Sequence, residues 1–133
     1  MNTDLTVAIC AYNCERYIRE TLSCLLAQTY RDFELLIVND CSTDNSRTVM
    51  EQFFEENPFP HQIVDFPVNQ GLAGGRKYVE DNVQTKYIIF VDADDCPLPT
   101  FVETLYKTIT SDDDLMAVGC YLEFIDEDRK SVV

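Results

Sequence analysis

Positive charge is scarce in this 133-residue chain, where ten Lys and Arg stand against 24 Asp and Glu for a net charge of −14. Such a surface repels nucleic acid and anionic lipid at long range, so neither is expected as a partner. A polyanionic ligand would need a local positive group, and a bound cation is the obvious one. Histidine is represented by His61 alone, and the six cysteines (Cys10, Cys14, Cys24, Cys41, Cys96, Cys120) contain no Cys-x-x-Cys pair. No zinc site or redox motif is spelled out, and the cysteines, several of them inside apolar runs, are expected to be reduced thiols. No stretch of about 18 apolar residues is present to span a bilayer. No basic segment precedes the first apolar run, and the chain is expected to be cytoplasmic. The glycine-rich turn of a dinucleotide-binding fold is missing after that run, where Tyr12 stands instead, and the spacing of a Walker loop is absent.

What the chain does have is enough apolar material, 46% of its residues, to fill one core, so residues 1–133 are read as a single domain. Apolar runs rich in β-branched and aromatic residues recur at Leu5–Ala11, Phe33–Val38, Gln62–Phe66, Lys86–Val91 and Met116–Phe124. Their near-continuous apolarity predicts strands covered on both faces, hence a parallel sheet. Between them lie segments of helical spacing. The first has Ile18, Leu22, Leu25 and Leu26 on one stripe with Asn13 as N-cap. The second follows Ser42-Thr43-Asp44 and turns Val49, Met50, Phe53 and Phe54 inward before Asn57-Pro58. A third runs from about Ala73 to Val83, and a fourth follows Pro99-Thr100. The fold class is therefore α/β, a mostly parallel sheet with helices on both faces. The charged end, Asp126 to Lys130, reads as a solvated turn or the exit of the last strand.

Ligands of such folds sit beyond the carboxyl ends of the strands. Those ends carry Ala11-Tyr12-Asn13, Asn39-Asp40-Cys41-Ser42 and Asp92-Ala93-Asp94-Asp95. A turn at Asp92–Asp95 would crowd three carboxylates, which is costly without a cation. Hard carboxylate oxygens suit Mg²⁺ or Mn²⁺, and Mg²⁺ typically takes one or two carboxylates with waters and phosphate oxygens. The plainer alternative is a solvated turn or helix cap. An aromatic ring at Tyr12 can stack on a base, and Asp40 can accept the imide N–H of uracil or thymine. Taken singly, Tyr12 reads first as a half-buried packing residue, and Asp40 equally as a turn residue. The segment Asn69 to Lys77 joins a glycine-rich turn to a helix start and holds two cations, of which Arg76 could pair with a phosphate or a site carboxylate. The alternative there is a mobile loop with Arg76 on a helix surface.

Taken in order, Tyr12-Asn13-x-Glu15-x-Tyr17, Leu26-Ala27-Gln28-Thr29-Tyr30, Val38-Asn39-Asp40-Cys41-Ser42-Thr43-Asp44, Asn69-Gln70-Gly71 and Phe90-Val91-Asp92-Ala93-Asp94-Asp95 resemble the family 2 glycosyltransferases of the GT-A fold, bacterial polysaccharide-type members in particular. The resemblance implies that Tyr12 and Asp40 hold the base, Asp92 the nucleoside side of the donor, Asp94 the metal (Mg²⁺ or Mn²⁺), and that Arg76 contacts the donor. It implies inverting transfer of a sugar from a nucleotide-diphosphate sugar, UDP- or dTDP-linked, to a saccharide or lipid-linked acceptor hydroxyl. The full-length enzyme would then work at the cytoplasmic face of the membrane. Members carry their general base in a downstream acceptor half, and the sequence ends before any such segment. Residues 1–133 are thus expected to be the donor-binding half, without a catalytic base and inactive alone. The chain departs from the family pattern at Cys10-Ala11, where a proline-containing lead-in is usual, and at Asn39, where the first of two aspartates stands. It departs again at Cys41, where glycine is common, and at Gly75-Arg76-Lys77, in place of Ala-Arg-Asn. Two other readings compete. One is a non-catalytic nucleotide-binding or interaction module of the same fold. The other, a phosphoacceptor receiver domain, is disfavoured because Tyr12-Asn13 occupies the place of its acidic pair.

Overall fold

Four of the five apolar runs form strands: β1 (Leu5–Ala11), β2 (Glu34–Asn39), β3 (His61–Asp65) and β4 (Tyr87–Phe90). The computed structural model describes residues 3–120, 122 and 125, and in it these strands pair in parallel in the order β3-β2-β1-β4. Val7 lies opposite Leu35 on one side and Ile89 on the other, and Ile37 opposite Ile63. Parallel neighbours cannot be joined by a hairpin, so each connection carries a helix. The helices are α1 (Ile18–Leu26), α2 (Ser46–Glu56), α3 (Gly71–Asn82) and, after β4, α4 (Phe101–Thr110).

Side chains alternate across each strand, and here both faces are apolar. Ala8, Leu36 and Val38 face α3, where they pack with Val79, Tyr78 and Phe66. Val7, Ile9, Leu35 and Ile37, of the opposite parity, are equally buried. That second face is matched by the apolar stripes of α1 (Ile18, Leu22, Leu25) and α2 (Met50, Phe53), two helices that pack on each other. Full burial of each such side chain is worth roughly 1.5–3 kcal/mol. The architecture is the α/β, parallel-sheet fold with helices on both faces that the strand composition predicts.

Three local expectations are corrected. Asn13 does not cap α1, whose first residue follows Tyr17 without a side-chain cap; Asn13 sits instead in the left-handed region (φ 47°) and bonds elsewhere. Cys24 and Cys96 are not free thiols but form a disulfide, their Cα atoms 5.6 Å apart because α1 runs beside the segment after β4. Cys10, Cys14, Cys41 and Cys120 remain free. Met116–Cys120 forms no strand, and Met116, an apolar side chain a buried strand would cover, is 97% exposed. Tyr121, Glu123 and Phe124 of that expected strand, and the charged end from Asp126 to Lys130, lie outside the described residues. The chain divides into two compact units, Met1–Val102 and Glu103–Val133. The sheet and all residues of the candidate site belong to the first. In the second, Lys107 pairs with Glu103 one helical turn away. No helix among the described residues is long and apolar enough to cross a membrane.

Candidate functional site

Parallel pairing sends every strand's carboxyl end to one edge of the sheet. Tyr12 follows β1, Asp40 follows β2 and Asp92 follows β4 by two residues, so the three polar clusters meet at that edge. The Tyr12 ring is 51% exposed there, whereas Asp40 is 4% exposed. Both Asp40 oxygens accept backbone N–H bonds at the start of α3, Oδ1 from Gln70 at 2.7 Å and Oδ2 from Gly71 at 2.9 Å. A carboxylate is favoured at a helix amino terminus, where unpaired N–H groups converge. Gly71 has φ +75°, which lets the chain turn into the helix at this point. Asp40 is thus a fixed acceptor with further lone pairs to offer.

The loops after β1 and β2 are stitched together. Asn13 Oδ1 accepts from the N–H of Thr43 (2.8 Å) and Asp44 (3.3 Å), and its Nδ2 donates to Thr43 Oγ1. In return the N–H groups of Asn13, Cys14 and Glu15 donate to Ser42 Oγ, Ser46 Oγ and Asp44 Oδ2. Asp44 Oδ1 also accepts from the Ser46 N–H at the head of α2, so the expected capping chemistry of Ser42-Thr43-Asp44 resides in Asp44. Burial opposes the Asp44 charge, but the Ser46 and Glu15 donors outweigh it and hold its carboxyl below the ordinary 3.8. This clasp holds the backbone that follows exposed Tyr12.

The acidic turn does not crowd three carboxylates together. Asp95 N–H donates to the Asp92 carbonyl, Ala93 turns inward and is buried, and Asp92, Asp94 and Asp95 are exposed. No group of three or more His, Cys, Asp or Glu side chains converges as a metal cage among the described residues. The donors present, separate carboxylates at an open edge, fit a hard cation that takes one or two protein oxygens and completes its shell with water and phosphate. The turn is anchored along α1 and just past its end: Thr21 Oγ1 donates to the Ala93 carbonyl (2.9 Å), Cys24 is bonded to Cys96, and buried Gln28 Nε2 donates to the Leu98 carbonyl (2.8 Å). Gln28 Oε1 accepts from Val102 N–H at the head of α4. Thr21 carries no signal in local sequence, its partner lying 72 positions away; Gln28 belongs to the Leu26–Tyr30 motif, but nothing local says that it bonds residues about 70 positions on.

Arg76, on α3, reaches the same edge. Its Nη2 lies 3.9 Å from Asp92 Oδ1, and its guanidinium sits 5.1 Å from the Phe90 ring centroid. Lys77 does not join it but pairs with Asp81 on the helix surface at 2.8 Å. The Cys10 thiol, which feels Arg76, Asp40 and Asp92, is pushed above its ordinary value chiefly by burial and further by the two carboxylates, with Arg76 acting the other way. α3 comes so close to β1 here that a Cβ on Gly75 would stand 2.8 Å from Cys10 Sγ. Two recesses elsewhere, one beside Arg47, Phe54 and His61 and one at the amino ends of β2 and β3, include none of Tyr12, Asp40 and Asp92. Position at the strand ends, not depth, marks the site.

The sequence model of the family described as Glycosyl transferase family 2 matches residues 6–132. The chain belongs to glycosyl transferase family 2. It is 38% identical over 121 residues, 90% of its length, to glycosyltransferase GlyA of Streptococcus pneumoniae serotype 4, of which it spans 17%. It is 34% identical to the teichoic acid poly(glycerol phosphate) polymerase of Staphylococcus epidermidis, with 96% of this chain and 18% of that one aligned. Among solved structures, S. aureus TarS 1-349 in complex with UDP-GlcNAc superposes with a TM-score of 0.73 at 26% identity, over 82% of this chain and 32% of that one. The mannosyltransferase PcManGT from Pyrobaculum calidifontis, in complex with GDP-Man and Mn²⁺, gives 0.65 at 25% identity over 71% of this chain and 28% of that one. The chain therefore spans well under half the length of these relatives.

Within this glycosyl transferase family 2 member, the departures from the family pattern have local reasons. Cys10 and Gly75 touch, so the missing Cβ at 75 makes room for the thiol at 10. Asn39 lies opposite Asp65 and donates to its Oδ1 at 2.8 Å, where an aspartate would face another carboxylate. Its own Oδ1 is buried without a partner among the described residues. Cys41 has φ 59°, which is the reason glycine is common there.

Proposed function

We propose that this chain is the donor-binding half of an inverting glycosyltransferase that takes a nucleotide-diphosphate sugar, UDP- or dTDP-linked, and passes the sugar to a saccharide or lipid-linked acceptor hydroxyl. The observation that carries the reading is the meeting of Tyr12, Asp40, Asp92 and Arg76 at one edge of a parallel sheet. In this reading the exposed Tyr12 ring stacks on the base, and Asp40, held by two backbone N–H groups, accepts the imide proton. Asp92 orients the nucleoside side of the donor. Arg76 offers the edge a positive group beside Asp92 and shares its charge with the diphosphate. Mg²⁺ or Mn²⁺ held at Asp94, when bound, would neutralise charge on the departing diphosphate. The base that deprotonates the acceptor lies outside this chain, so residues 1–133 alone bind donor weakly and transfer no sugar. The complexes of TarS with UDP-GlcNAc and of PcManGT with GDP-Man and Mn²⁺ support the choice of ligand class.

Calorimetric titration of UDP into single-residue variants tests the assignment. Asp94→Asn should abolish most of the Mn²⁺-dependent gain in affinity, and Asp95→Asn little of it. Asp40→Asn should keep the Mn²⁺ response but lose preference for a uracil base. That variant also forfeits one backbone N–H bond, since an amide has a single acceptor atom, at about 1–3 kcal/mol of stability. Equal loss of the Mn²⁺ response in Asp94→Asn and Asp95→Asn would refute the metal assignment.

A further inference from the structure

Thr21 and Cys24 lie at i and i+3 on one face of α1, and Gln28 stands two residues past its end. The three meet the segment after β4 in order: Thr21 at Ala93, Cys24 at Cys96, Gln28 at Leu98. A hydroxyl inside a helix ordinarily donates back to the carbonyl four residues earlier. Ser23 does so to Arg19, Thr108 to Thr104 and Thr110 to Tyr106. Thr21 does not. Fully buried, it donates to the Ala93 carbonyl across 72 positions of sequence, and Ala93 is itself buried against it. The peptide whose oxygen is Ala93 O has the Asp94 nitrogen at its other end, so fixing that carbonyl fixes the plane from which the Asp94 side chain departs.

We propose that Thr21 is a positioning residue for the donor diphosphate: its hydroxyl sets the Ala93–Asp94 peptide and thereby aims the Asp94 carboxylate. The proposal rests on the donor-site reading above and names a residue with no contact to the ligand. Cys24 and Gln28 hold the far end of the segment, at 96 and beyond. Thr21 alone among the three grips the turn between Asp92 and Asp94. Replacing the hydroxyl by a methyl leaves the volume almost unchanged and strands a buried carbonyl, a change that the usual strength of such bonds converts to roughly a tenfold effect.

The test uses the whole chain as Thr21→Val, Thr21→Ser and, should valine pack poorly, Thr21→Ala. Affinity is measured for UDP with Mn²⁺, for UDP with chelator and for uridine, alongside amide hydrogen exchange at Asp95, whose N–H is bonded to the Asp92 carbonyl. Thr21→Val should lose about tenfold of the Mn²⁺-dependent UDP affinity, with uridine unchanged and Thr21→Ser close to the unmodified chain. Exchange at Asp95 should quicken in the valine and alanine variants and not in the serine one. Unchanged UDP affinity in Thr21→Val, or a parallel fall for uridine and UDP, would overturn the proposal, the second outcome marking a merely structural role. If the unmodified chain shows no Mn²⁺-dependent affinity, the donor reading has failed. The exchange measurement then decides the aim of the turn by itself, equal Asp95 exchange in all variants overturning it.

Discussion

Gly75→Ala should reveal how tightly α3 is drawn to β1 beneath the strand-end edge. In an open helix interior, alanine in place of glycine gains roughly 1 kcal/mol. Here the added Cβ would stand 2.8 Å from Cys10 Sγ and 3.3 Å from Cys10 Cβ, so the thiol or the helix must move. Overpacking of this kind costs about 1–3 kcal/mol, which leaves Gly75→Ala neutral to about 2 kcal/mol destabilised. With Cys10→Ala in place, most of the clash disappears and Gly75→Ala should become stabilising. Urea unfolding of the four chains of this double-mutant cycle measures the coupling, expected at about 1–3 kcal/mol. Arg76 is the next residue on α3, so a helix pushed outward also carries its guanidinium away from Asp92. A Gly75→Ala change that stabilises both backgrounds alike would refute the close-approach argument and, with it, the claim that the departures at positions 10 and 75 compensate each other.

Two further outcomes follow from backbone and charge. Cys41→Gly should stabilise the chain by roughly 0.5–1 kcal/mol in urea unfolding, since relief of a left-handed residue exceeds glycine's entropy cost. Asp44 has a folded pKa below its ordinary 3.8, so its contribution is fully present above that value and is lost as pH falls through the lower folded one. Acid titration followed by circular dichroism should therefore show Asp44→Asn less sensitive than the unmodified chain below pH 3.8; an identical acid profile would count against the clasp.

Four of the five expected strands were legible because their apolar runs are short and near-continuous, and β1 begins and ends where the composition says; Met116–Cys120 has a similar composition and forms no strand. Parallel pairing then determines that Tyr12, Asp40 and Asp92 share an edge, which is why the candidate site could be named from strand ends alone. What local pattern does not carry is the partner of each polar group. Asn13 has the chemistry of a helix cap, yet its amide is used on Thr43 and Asp44, 30 or so residues away. Cys24 and Cys96 share no motif spacing, and only α1 lying along the segment after β4 brings them together. The turn at Asp92–Asp95 looks crowded as a string of letters, but its three acidic residues are exposed and form no metal cage among the described residues. Lys77 adjoins Arg76 in sequence and, on a helix, points elsewhere, to Asp81.

The central claim is that the strand-end edge binds a nucleoside diphosphate through a divalent cation. Asp40, Asp92, Asp94 and Asp95 line or flank that edge, with Arg76 the cation paired there. At an effective dielectric of 20, two unit charges ~4 Å apart repel by about 4 kcal/mol, so a diphosphate entering without a cation meets a barrier that Arg76 alone does not offset. The most direct measurement is calorimetric titration of UDP into residues 1–133 in Mn²⁺ and again in chelator. The account predicts weak binding that is at least about tenfold tighter with Mn²⁺; equal affinity in the two solutions would contradict it.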